Sequence, residues 1–277
     1  MKALIGFVIL TGSATAQWPK YMPPGIPMKA GKPDLTAPTP KTADGHTDFT
    51  GVWDYTRPPG ATAPRPAAAA TAGGGLGPPG TGGINQFFNI GSTLEGGTLP
   101  FQPWAAKLRA ERKAANNKDN PDAHCLPMGF MQFHTHPQPR KFVQTPGLIV
   151  IIYEANYGLR QIYMDGRTLP AGDVENWWYG YSVGHWDGDT LVVETTHIRD
   201  NTWLDVEGSP ITPEAKVTER IRRVNFGNME TEITVDDPKA YTKPWTVKVY
   251  HKIAADDDLI EFVCNENERD AEHLVAN

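Results

Sequence analysis

The chain has 277 residues, 39% of them hydrophobic and 21% charged, with a net charge of −6. Acidic and basic residues are interspersed, and that balance argues against a nucleic-acid partner, which would want a clustered basic face. The one long apolar run, near the start, is about half the roughly 20 residues a membrane-spanning helix needs, so no transmembrane segment is expected.

Lys2, the apolar run from Ala3 to Leu10 and the small residues ending in Ala14-Thr15-Ala16 are the three parts of a cleavable secretory signal. Residues 1–16 are therefore expected to be removed, leaving a periplasmic or secreted protein. Residues 17–48 carry seven prolines, from Pro19 to Pro40, and predict an extended arm laid over the surface. A single β domain is expected over 49–277, opening with an early strand at Gly51–Tyr55. A tract at about 57–83, almost wholly Pro, Ala, Gly and Thr, cannot bury enough apolar surface to offset its ordering entropy and reads as a disordered insertion.

Pro103 at a first-turn position, followed by Trp104-Ala105-Ala106-Lys107-Leu108, predicts a helix running to about Ala115. A second short helix is expected near Asp270–Leu274. From Lys141 onward the signals are β. Nine short runs rich in Val, Ile and Tyr extend from Phe142–Thr145 to Leu259–Cys264. Asp187-Gly188 and Asp165-Gly166 are turn signals between them, and Phe226-Gly227-Asn228 suits a three-residue turn. Val217, Glu219, Ile221 and Arg223 share one face of a strand that also has charge on the other. Such strands suit a barrel with a partly polar interior better than a sandwich. The fold class expected is mainly β: an antiparallel meander closing into a barrel, with one or two short helices and a Pro-rich arm.

The two cysteines, Cys125 and Cys264, form an even pair in an oxidising compartment and predict a disulfide.

Several blocks occur in order: Cys125-Leu126-Pro127, Val143-Gln144-Thr145-Pro146-Gly147, Asp165-Gly166-Arg167 and Gly188-Asp189-Thr190-Leu191-Val192-Val193. They continue with Thr202-Trp203-Leu204-Asp205, Val217-Thr218-Glu219-Arg220, Asp236-Asp237-Pro238-Lys239-Ala240-Tyr241-Thr242-Lys243-Pro244-Trp245 and Cys264-Asn265-Glu266-Asn267-Glu268. In these the chain resembles a large, mostly uncharacterised family of exported bacterial proteins. The resemblance covers nearly the whole mature chain and implies export, with no established activity attached. Where the family often reads Gly-x-Pro-Arg after Cys-Leu-Pro, this chain has Gly129 followed by Phe130, Met131 and Gln132. Gly51-x-Trp53 looks like the first-strand signature of lipocalins, which agrees with the barrel.

Three constellations are candidates for chemistry. Trp177, Tyr179 and Tyr181 alternate on one strand face, and aromatics with polar handles commonly line small-molecule pockets. With Trp53, Trp203 and Tyr241 they are candidate binders of a small hydrophobic or aromatic molecule. A carboxylate beside a Tyr or His is what cofactor-free acid–base chemistry requires, and His185, Tyr181, Glu194, Glu219 and Asp205 are its candidates. His134-Thr135-His136, read as extended, puts two rings on one side; with His124 they are the candidate metal ligands. Motifs for nucleotide, NAD, haem and the ordinary serine hydrolases are absent from the sequence. No cofactor is expected apart from that possible metal. The leading expectation is a small-molecule-binding barrel. The alternatives are a lyase, isomerase or hydrolase on the same scaffold, and a surface-interaction protein.

Overall fold

The computed structural model describes residues 22–56 and 90–264. The expected signal peptide, the Ala/Pro/Gly tract and the helix near Asp270 lie outside the described residues.

Nine strands close into one barrel: β1 (Gly51–Thr56), β2 (Arg140–Gln144), β3 (Leu148–Tyr153), β4 (Leu159–Tyr163), β5 (Tyr181–Asp187), β6 (Thr190–Thr196), β7 (Lys216–Asn225), β8 (Asn228–Asp236) and β9 (Trp245–Ile253). Each strand pairs with the next in sequence, and β9 returns to β1 through Ile253 opposite Trp53. An odd number of strands cannot close with every neighbour antiparallel. The exception falls between β4 and β5, which run parallel with Ile162 opposite Ser182 and Tyr163 opposite Val183. Parallel neighbours need a crossover of a dozen or more residues, and residues 164–180 supply it.

This corrects four expectations. The meander is mixed rather than wholly antiparallel. Asp165-Gly166 begins the crossover instead of turning a hairpin. The strand expected from Trp177 starts at Tyr181, with Trp177 bridged to Ile198. Leu259–Cys264 forms no strand, and the early strand β1 takes that place in the barrel. At the β5–β6 hairpin the two loop residues are Gly188 and Asp189, with Gly188 at φ +59°, a position that suits glycine in a two-residue turn.

The helix α1 (Pro103–Ala114) forms where the proline marks its first turn, and it buries Ala105. A single turn, α2 (Phe130–Phe133), is buried throughout and plugs the barrel. Cys125 and Cys264 are disulfide-bonded, their Cα atoms 5.6 Å apart.

Register decides what faces inward. Trp53, Arg140 and Tyr153 sit side by side across β1, β2 and β3; Ser182, Thr195 and Val217 do so across β5, β6 and β7. The interior is layered. One apolar cluster holds Phe49, Trp53, Phe133, Phe142, Ile149 and Leu191. Another holds Phe130, Met131, Leu204, Val217, Ile233 and Trp245. The plug α2 contributes Phe133 to the first and Phe130 to the second, so it threads from one to the other. Arg140, Arg160, His134, Glu219 and His251 are buried along with these clusters.

The arm is fixed over one rim. Phe226 N donates to Ala37 O at 2.8 Å and Gly227 N to Leu35 O at 2.9 Å, both at the β7–β8 turn. Gly227 is required by this approach, since a Cβ there would lie 2.4 Å from the Leu35 Cβ. Farther along, Thr47 Oγ1 donates to Asp189 O at 3.1 Å.

Candidate functional site

Two regions carry chemistry: the polar groups inside the barrel and the space beneath the arm. Inside, the β7 alternation that turns Val217 and Ile221 inward turns Glu219 inward as well. Its carboxylate accepts from Arg160 Nη1 at 3.1 Å, from Arg160 Nη2, and from His134 Nε2 at 3.0 Å. Arg160 also donates from Nε to Ser182 Oγ at 3.2 Å and from Nη2 to Thr195 Oγ1 at 2.9 Å. Its guanidinium lies 4.2 Å from the Phe130 ring centroid. Burial pushes the Glu219 carboxyl up, but Arg160 and His134 outweigh it and hold the group down to about 2. Burial lowers His134, so at neutral pH it is uncharged and donates its Nε2 proton to Glu219.

A second guanidinium lies nearby without a comparable partner. Arg140 Nη2 donates to Phe133 O at 3.0 Å, while Nε and Nη1 have no hydrogen-bond partner among the described residues. The same is true of both His251 ring nitrogens and of His134 Nδ1. Aromatic rings wall this region: Phe133 stacks on Tyr153 at 3.8 Å and on Tyr179 at 5.8 Å. Burial and the neighbouring Tyr153 push the Tyr179 hydroxyl up to about 12, so it stays protonated.

Beneath the arm is a cavity of about 400 Å³. Pro23, Pro24 and Ile26 of the arm face Val52, Phe226 and Ile253 of the barrel across it. Arg223 forms part of its wall, sandwiched at 4.8 Å from the Trp53 ring and 5.0 Å from the Phe226 ring. Exposed Asp256, Asp257 and Asp258 also line it, with Lys141 donating to Asp258 at 2.8 Å. A second cavity of about 350 Å³ shares Asp48 and Thr50 with the first and is lined by Met164 and Trp186.

The sequence candidates are scattered through this architecture. Of the acid–base set, Glu219 alone belongs to the buried network. His185 is exposed on β5, and Glu194 is ion-paired with Lys216 on the barrel surface. Tyr181 accepts from Arg167 Nη1 at 3.1 Å beside the Tyr163 and Trp177 rings. Asp205 staples its own loop, accepting from Ser209 N at 3.0 Å and Ser209 Oγ at 2.7 Å.

Of the aromatic set, Trp53 and Tyr179 pack in the interior, and Trp53 Nε1 donates to Phe49 O at 2.9 Å. Trp177 is half-exposed, against His197 and Tyr181. Trp203 is buried under Arg112, 4.4 Å away, and Tyr241 donates to Pro210 O at 2.7 Å. Trp203 and Tyr241 thus hold loops together. Of the histidines, His124 is exposed on Lys118 O at 2.8 Å, His134 turns to Glu219, and His136 turns to Gln138 Oε1 at 3.2 Å. The His134–His136 segment is the turn that closes α2, not extended chain, and the two rings take different partners. Among the described residues no group of three or more His, Cys, Asp or Glu is placed to hold a metal ion.

Arg140 and His251 were not singled out from the sequence. Both were readable by phase: Arg140 alternates with inward Phe142, and His251 with inward Val247, Val249 and Ile253. No family model, curated protein or solved structure matches the chain.

Proposed function

We propose that this chain is an exported barrel protein that binds a small, largely apolar molecule beneath its proline-rich arm. One observation carries the reading: a cavity of about 400 Å³ between arm and barrel, walled by Pro23, Pro24, Ile26, Phe226 and Ile253. That volume lies in the range of small-molecule sites, and an apolar wall with a few polar groups is their usual lining. The barrel interior is less suited, because α2 and the inward aromatics fill it. The disulfide and the signal-like first 16 residues support export.

Acid–base catalysis has weaker support. His134 and Glu219 converge, but both are buried and the carboxylate is engaged by Arg160. The test is native mass spectrometry of the protein purified from an exporting cell, alongside an Ile26→Trp variant that fills the cavity. A retained small-molecule adduct in the parent, lost in the variant, is the expected result. A bare parent protein, or an adduct that Ile26→Trp retains, overturns the reading.

A further inference from the structure

Inside the barrel the ionised groups do not balance. Glu219 is the inward-facing carboxylate of the nine strands among the described residues, and both its oxygens are taken by Arg160 and His134. Arg223, at the rim, is satisfied by carbonyl oxygens, including Phe226 O at 3.1 Å. That leaves Arg140. It is 2% exposed, and a guanidinium remains protonated in proteins. Its one hydrogen bond goes to a neutral carbonyl, with Nε and Nη1 unpartnered.

Asp54 and Glu219 both act on Arg140 electrostatically, but neither has a hydrogen bond to it. An uncompensated buried charge costs several kcal/mol, and proteins seldom leave one so. His251 is equally enclosed and offers a ring N–H with no acceptor. Arg140 lies opposite Trp53 and Trp53 opposite Ile253, and His251 is two residues before Ile253 on the same inward face, so the two share one region of the interior. Donors without acceptors, around a charge with no hydrogen-bonded counter-charge, describe a site for an acceptor that is itself negative.

We propose that the middle of the barrel binds a small monovalent anion against Arg140 and His251. The orphaned atoms are closed to solvent, which restricts the ligand to a halide or a small carboxylate such as formate. His134 is excluded from the ligand set, because its Nε2 proton is given to Glu219 and its Nδ1 presents a lone pair. This site is separate from the cavity beneath the arm, and neither depends on the other.

The test uses protein unfolded in urea and refolded in sodium gluconate, whose anion is too large for the site. Stability is then measured at constant ionic strength as gluconate is replaced by chloride, bromide or formate. The expected result is that, above the dissociation constant, each tenfold rise in the free concentration of the binding anion raises the folding equilibrium constant about tenfold. Response to halides alone identifies a halide site, and response to formate alone a carboxylate site. Bromide-soaked crystals are expected to show an anomalous peak beside Arg140 in the first case.

Arg140→Met should abolish the response. His251→Leu, which leaves Arg140 and the Glu219 network in place, should weaken it at least fivefold and covers the case in which Arg140→Met does not fold. Equal stability in gluconate and in every small anion overturns the proposal, as does a response that His251→Leu leaves intact.

Discussion

Arg160 and Glu219, from β4 and β7, meet inside the barrel in a two-pronged ion pair, with Arg160 Nη1 donating to Oε1 at 3.1 Å and Nη2 to Oε2. Removing one partner strands the other charge away from water. Glu219→Gln is therefore expected to cost about 3–5 kcal/mol in a urea titration. Arg160→Met should cost a similar amount, and the double variant clearly less than the sum of the two. Additive losses would show that the pair is not energetically coupled.

Acid should destabilise the fold from about pH 6.5 downward. Burial pushes His136 down to about 4, and lowers His134 and His251 in the same direction. Below about 6.5 the unfolded chain takes up protons that the folded protein refuses. The stability these rings contribute is therefore complete above pH 6.5 and is lost as the pH falls toward 4. His136 alone accounts for on the order of 3 kcal/mol of it. Glu219 adds a loss in the same direction at lower pH, between its ordinary range and about 2. Urea midpoints at pH 7.5, 6.0, 5.0 and 4.0 should fall steadily; a flat profile would contradict the buried neutral histidines.

The arm can be loosened without touching the barrel wall. Gly227→Ala sets a methyl 2.4 Å from the Leu35 Cβ, and the arm is the more yielding partner. An overpacked contact of this kind costs about 1–3 kcal/mol. Limited proteolysis should cut the arm near residues 22–37 faster in the variant, while near-ultraviolet circular dichroism of the barrel aromatics stays as in the parent. Unchanged cleavage would mean that the arm is held elsewhere.

Reduction of Cys125–Cys264 frees a loop with a sequence separation of 139. On the chain-entropy estimate the bridge contributes about 5 kcal/mol. Urea unfolding with and without reductant should show a loss of that order, and a double Cys→Ser variant should match the reduced parent.

Much of the barrel was legible because its strands are short and alternating. Met229, Thr231, Ile233 and Val235 announce one inward face, and Val217 to Arg223 announce a face that carries charge inward. The parallel pair was not legible, because it follows from the strand count and the closure, which no local pattern states. The strand expected at Leu259–Cys264 had the right composition, but β1 had already taken the place beside β9. The polar interior was half-readable. Periodicity turns Glu219 and Arg160 inward, but their meeting with His134 depends on α2 entering the barrel, which no spacing along the chain encodes.

The seam between β9 and β1 joins Trp53 to Ile253, positions two hundred residues apart. Every other strand pair in the barrel can form as soon as its later strand is available, but this one waits until β9 is complete. Until then β1 and β8 are open edges, and open edges are templates for pairing with other chains. Losing β9 would therefore do more than remove one strand: it would leave a sheet that cannot roll shut, with its buried charges facing water and its edges free to aggregate.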